Sequence, residues 1–311
     1  MKQEQLSEKP SFLRFIVVLI TSTLMSALFT FLGTPLLRAM RNVFGPWKYW
    51  ISGVVVSGLL LIASPEFLIV GFLLLSFWVT VGVYQELEER GQASFWTACL
   101  SIAAGSLVLI LGPHLWIQGL GLNLVETLKT ALEDNSKQFM GGKSLNEMGL
   151  SANTLVGLLP SMVIIMQTAC LAFALMLDRK FAALMGIRFE KIASQMRLLE
   201  FRVPDFMVWV AMVSFLLSFV QLQQAGMNTL AMNVFFVMMG LYFFQGLAVL
   251  ELSFLVFRVG GFVRLLLYIF VVGQLFFLLS IVGMIDYWVD FRLKVKRWKL
   301  SEKDQNNGEN V

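Results

Sequence analysis

The 311-residue chain has one histidine, two cysteines and seven prolines, and only 14% of its residues are charged. Each shortage closes off a class of function. A single histidine, His114, cannot anchor a metal cluster, and no CxxC or Cys/His spacing offers one. Cys99 and Cys170 both fall inside apolar runs and read as small packing residues, not as a disulfide. There is no Walker A loop, no HExxH, no GxSxG and no kinase or Rossmann glycine pattern. The expectation is therefore a protein that is not an enzyme and has no metal and no cofactor. A soluble domain carries roughly 25% charged residues, so this chain has too few to cover a water-facing surface. Its net charge of +4 is modest, and the basic residues flank apolar runs. That placement favours anionic lipid head groups over nucleic acid as a partner.

What the sequence does have is apolar length. It is 58% hydrophobic, with a mean hydropathy of +0.76. A helix needs about 20 apolar residues to cross about 30 Å of hydrocarbon. Runs of that character lie near 12–32, 49–63, 67–84, 93–111, 154–177, 205–220, 230–250 and 262–285. They predict an all-α, polytopic transmembrane helical bundle of about eight spans, one domain over 1–292. The first run is longer than a signal-peptide core and no A-x-A site follows, so it reads as an uncleaved span. Ser64-Pro65-Glu66 breaks the second span from the third, as in a tight hairpin or an incomplete crossing.

The connectors carry their own patterns. Over 122–140, Val125, Leu128 and Leu132 alternate at helical spacing with Glu126, Lys129, Glu133 and Lys137, which predicts an amphipathic helix on the membrane surface. A second is predicted over 180–202, the most basic connector. Arg38, Arg41, Trp47, Lys48, Tyr49 and Trp50 read as a basic, aromatic anchor at the membrane edge. Gln85 to Arg90 reads as a solvated loop, and 293–311 as a basic, then polar, disordered tail. Lys and Arg divide almost evenly between the two sides, so the positive-inside rule does not orient the chain. Both termini cytoplasmic is the default for an even count.

Polar residues inside apolar spans need partners, because an unpaired polar group in lipid is costly. Gln167, Asn233, Gln245 and Glu251 are candidates to line a substrate pocket; amides and carboxyls in such positions also serve as hydrogen-bonding glue between helices. Asp286, Asp290 and Arg292 form a polar cluster at the end of the last span. The two aspartates share a face if that helix continues through them. Carboxylates at a helix C-terminus oppose its dipole, which calls for a cation such as Arg292. Ser22, Ser26 and Ala27 give the first span a small-residue face suited to close helix packing or to docking.

The second half also carries strings in a recognisable order. They are Leu159-Pro160-Ser161, Phe201-Arg202-Val203-Pro204, Phe244-Gln245-Gly246-Leu247-Ala248-Val249 and Gly283-Met284-Ile285-Asp286-Tyr287-Trp288-Val289-Asp290-Phe291-Arg292. In this order the chain resembles the YybS-like family of bacterial predicted membrane proteins, a domain of unknown function. That family is distantly similar to the S components of energy-coupling factor vitamin transporters. The resemblance implies a bacterial cytoplasmic (inner) membrane location and a small-molecule pocket near one membrane face. It also implies docking on a transmembrane coupling protein and its ATPases. S components usually have about six spans, fewer than the eight read here, and Ser22, Ser26 and Ala27 stand where their first span often carries an Ala-xxx-Ala docking face. The alternative expectation is a non-transporting scaffold that binds envelope-assembly proteins. A proton-coupled role for Asp286 and Asp290 comes third.

Overall fold

The computed structural model describes residues 11–30, 32–64, 67–92, 94–139, 151–184, 201–220, 225–294 and 297, and among these it has helices and no strands. The helix boundaries follow ordinary stop and start chemistry. Helix α1 (Phe12–Phe29) starts at Ser11, whose hydroxyl accepts the Arg14 N–H. Helix α2 (Thr34–Phe44) has Pro35 in its first turn, where no N–H is needed. It stops at Gly45, which takes φ +87° and returns its N–H to the Arg41 carbonyl. Pro46 then opens α3 (Pro46–Ala63). Next come α4 (Leu68–Glu89) and α5 (Phe95–Gly119), the latter capped by Ser94 on the Thr97 N–H. They are followed by α6 (Leu124–Phe139), α7 (Ala152–Leu184), α8 (Met207–Phe219), α9 (Ala225–Val256), α10 (Gly261–Gln274) and α11 (Phe276–Val289).

These helices group into two compact units. The first takes Met1–Ala152 and Met166–Gln195, and so holds α1 to α6 and the C-terminal part of α7. Its core is built on α4: Leu74, Phe77, Trp78 and Val81 pack with Leu37 and Met40 of α2, Tyr49 of α3 and Cys170 of α7. Tyr49 donates its hydroxyl to the Trp78 carbonyl at 2.7 Å, which gives a buried phenol the partner it needs. Gly105 of α5 sits where a Cβ would overlap the Thr80 hydroxyl, so the α4–α5 backbones approach closely.

The second unit takes Asn153–Ile165 and Met196–Val311. Here α9 is central, packed by α8 and α11. Gly246 and Gly283 face each other across α9 and α11. A Cβ on Gly246 would overlap the Leu279 carbonyl, and one on Gly283 the Tyr242 carbonyl. Phe243 and Phe276 stack beside this crossing, with ring centroids 4.6 Å apart.

The all-α membrane architecture expected from the sequence is present, but the span count is lower. Among the described residues, six helices are long and apolar enough to cross a membrane: α1, α3, α4, α5, α7 and α9. A seventh is reached if α10 and α11, bent by 100° at their junction, count as one broken span. The run at 262–285 is thus two short helices. The run at 205–220 forms a 13-residue helix, about 20 Å long and short of a crossing. The amphipathic segment at 122–140 is helix α6. The one predicted at 180–202 lies largely outside the described residues, its first positions continuing α7. The predicted tail is outside them from 298 onward.

Candidate functional site

The C-terminal polar cluster is assembled by a helix stop. Helix α11 ends at Val289 because Asp290 adopts the left-handed conformation, φ 49° and ψ 58°, with its N–H on the Asp286 carbonyl. Asp is among the few L residues that tolerate this. The turn reverses the chain and brings Arg292 back to Asp286. Arg292 Nε and Nη2 donate to Asp286 Oδ2 at 3.0 and 2.9 Å. The carboxylate is 2% exposed, so the guanidinium both offsets the helix dipole and neutralises a buried charge. Asp290, the expected companion carboxylate, is the cap and half-exposed. It does not share the buried face.

Two further segments meet this ion pair. Gln245 of α9 donates its amide N–H to Asp286 Oδ2 at 3.3 Å and accepts the Val203 N–H at 2.9 Å. Arg292 Nη1 donates to the Phe201 carbonyl at 2.9 Å. The extended stretch Phe201-Arg202-Val203-Pro204 is therefore held from both sides, by its carbonyl at 201 and its N–H at 203. Pro204, which has no N–H, precedes α8. Three of the four strings that are far apart in the sequence converge on one buried charge pair: FRVP, FQGLAV and IDYWVDFR.

Residues 11–287 match the family described as "Predicted membrane protein (DUF2232)". The chain belongs to this family. No curated protein matches it, and no solved structure does. The DUF2232 assignment agrees with the YybS-like resemblance, since the matched residues run from the first span to the Asp286 turn.

The other polar candidates of this DUF2232 chain each have their own partners. Gln167, fully buried on α7, donates to Ser76 Oγ at 2.6 Å and accepts from Thr80 Oγ1 at 2.9 Å. It thus pairs with hydroxyls one turn apart on α4. Asn233 bonds the backbone of α7 beside its internal proline. Its Oδ1 accepts the Ser161 N–H at 2.9 Å, and its Nδ2 donates to the Gly157 carbonyl at 2.7 Å. Those two groups are an i, i−4 pair that would bond each other in a regular helix, beside Pro160. Glu251 is paired with Arg264 and with the Tyr268 hydroxyl of α10. Gln245, Asn233 and Glu251 lie on one helix but serve three different sets of partners.

Ser22 and Ser26 are buried and Ala27 is exposed. The two serines pack against Gly33, at the turn between α1 and α2; a Cβ at Gly33 would overlap the Ser26 hydroxyl. His114 lies on an exposed face of α5, which continues through Pro113.

A second polar assembly was not legible as one. Arg38 and Arg41 of the basic connector lie on the buried helix α2, Trp47 to Trp50 open α3 with Trp47 and Lys48 exposed, and the segment 85–90, expected as a solvated loop, is the last turns of α4 and its cap Arg90. Arg38, 1% exposed, donates to Glu88 Oε2 at 2.8 Å and lies 5.8 Å from the Tyr84 ring centroid. Arg41 reaches Glu86 and Glu89 at 2.8 and 3.1 Å. Gln85 donates to the Arg38 carbonyl and to Asn42 Oδ1. The sequence did hold a signal for this. In an α3–α4 hairpin, the basic run before α3 and the acidic run after α4 must emerge on the same side, with complementary charge.

Proposed function

We propose that this chain is a small-molecule-binding membrane subunit, not an enzyme, similar in role to the S components of energy-coupling factor transporters. Its place would be a bacterial cytoplasmic membrane. The observation that carries this reading is the convergence of three distant strings on the Asp286–Arg292 pair. Burying two charges costs several kcal/mol per ion before their attraction is counted, and a chain of this composition can pack helices without it. A charged, hydrogen-bonding site at a helix end is also where a pocket near one membrane face would stand. Six long apolar helices, in place of eight, bring the chain nearer to the S-component plan.

The test is mild-detergent purification of the tagged chain from native membranes, with mass spectrometry of co-purifying proteins and small molecules. A coupling protein with its ATPases, or one stoichiometric metabolite, is the expected recovery. A second reading, a scaffold for envelope-assembly proteins, draws on Gln167, Asn233 and Glu251, whose polar groups bond within the chain itself. Recovery of envelope-assembly proteins with lipids alone would favour the scaffold.

A further inference from the structure

We infer that the Asp286 site takes a solute that brings hydrogen-bond donors, an amine or amide group, and not an anion; this rests on the solute-binding reading above. The argument is the division of labour between the two carboxylate oxygens. Oδ2 accepts three donors, from Gln245 Nε2 and from Arg292 Nε and Nη2. Oδ1 is buried and accepts none among the described residues. A carboxylate oxygen keeps its lone pairs wherever it is, and burial without a donor is unfavourable, so the site is completed by a donor.

A second buried polar group lies on α9. Tyr242 precedes Gln245 by one helical turn on α9, so the two share a face. It is 1% exposed, and its hydroxyl has no hydrogen-bond partner among the described residues. Its phenol is within electrostatic reach of Asp205, just after the held Phe201–Pro204 stretch, and of Tyr287, the neighbour of Asp286. A carboxylate oxygen and a phenol, both awaiting a partner, together suit an N–H-bearing group.

The cation in the site does not reverse this. Arg292 directs Nε and Nη2 to Asp286 and Nη1 to the Phe201 carbonyl. Its charge is neutralised by the carboxylate it binds. The class that fits is a cationic or neutral solute with N–H donors.

The experiment uses the full chain in detergent with three probes of equal length: hexylamine, hexanamide and hexanoate. Binding is followed by the intrinsic fluorescence of the eight tryptophans, among them Trp288 two residues from Asp286, and by the thermal unfolding midpoint. Hexylamine and hexanamide are expected to bind and stabilise, and hexanoate is not. Tyr242→Phe removes an oxygen with no protein partner and keeps the ring. It should fold as the parent does and bind the amine about tenfold more weakly, the loss of one hydrogen bond. Asp286→Asn should weaken the binding of hexylamine more than that of hexanamide; because this change also weakens a buried ion pair, the Tyr242→Phe result decides.

Binding of hexanoate in preference to hexylamine, or co-purification of an anionic metabolite, overturns the donor class and leaves the solute-binding reading standing. Amine binding that Tyr242→Phe does not change overturns the placement. If no probe binds at millimolar concentration and no metabolite co-purifies, the solute-binding reading falls, and this inference with it.

Discussion

At the scale of single residues, the chain uses polar side chains to mend what its own backbone and charges leave open. Asn233 is the clearest case. Its amide stands between the Gly157 carbonyl and the Ser161 N–H beside Pro160, so its worth depends on the proline. Asn233→Leu should lower stability by about 1–3 kcal/mol by leaving two part-buried backbone groups without their side-chain partner. In a Pro160→Ala background, where α7 can close its own ladder, the same change should cost clearly less. Unfolding of the four proteins in detergent gives the coupling; equal costs in both backgrounds would remove the clamp interpretation.

The Asp286–Arg292 pair makes a sharper prediction. Arg292→Ala strands a carboxylate that is 2% exposed, and breaking a buried pair in this way costs about 3–5 kcal/mol. Replacing both partners by apolar residues should recover much of that loss. Asp290→Asn should change stability little, because Asp290 caps α11 through its backbone and Asn accepts the same left-handed conformation. Thermal unfolding midpoints of the three variants check the ranking.

At the scale of elements, two features decide how helices meet: glycine contacts and the charge pairing of α2 with α4. Gly246→Val and Gly283→Val each place a side chain into a facing carbonyl, so α9 and α11 must separate and the proteins should lose monodispersity on size exclusion. Gly58→Ala in α3, with nothing within 4 Å of the added carbon, should be neutral or slightly stabilising, since Ala is the better helix former by about 1 kcal/mol. Equal behaviour of the buried and open sites would mean that the close crossing does not form.

The α2–α4 assembly ranks its two arginines. Glu88 has a side chain 4% exposed, whereas Glu86 and Glu89, the partners of Arg41, are 35% and 41% exposed. Water can screen the latter pair when Arg41 is lost, but not Glu88 when Arg38 is lost. Arg38→Ala should therefore destabilise more than Arg41→Ala in the same unfolding assay. Neither arginine was legible as a buried residue. The sequence shows two basic residues before an apolar run, and that pattern describes a membrane-edge anchor equally well. Only the return of α4's acidic end to the same place makes their burial possible.

At the scale of the whole molecule, helix length against membrane thickness sets the expectations. Helix α9 has 32 residues, about 48 Å, and exceeds the roughly 30 Å of hydrocarbon. Its centre should be inaccessible from water and its C-terminal end accessible. In membrane vesicles, Leu255→Cys should react with an impermeant maleimide from one side, and Met239→Cys should not. Reaction at Met239→Cys would mean that the middle of α9 is not in hydrocarbon. The native Cys170, fully buried, should stay unreactive until the protein is denatured.

Composition and hydrophobic run length by themselves determined that the chain is an all-helical, multi-pass membrane protein, because lipid demands long apolar segments that satisfy their own backbone. They also located α6. They did not determine the span count. A run of the right length reads the same whether it is straight, as in α9, or bent by 100°, as at the α10–α11 junction. Nor did they decide which polar residues belong together. Asp286 and Asp290 are four apart and suggested a pair, yet a left-handed cap sent Asp290 away and returned Arg292. Gln245 and Phe201–Pro204 joined them from elsewhere in the chain. Such partners are chosen by helix crossings and chain reversals, which depend on contacts between distant residues and leave no periodic trace in the sequence.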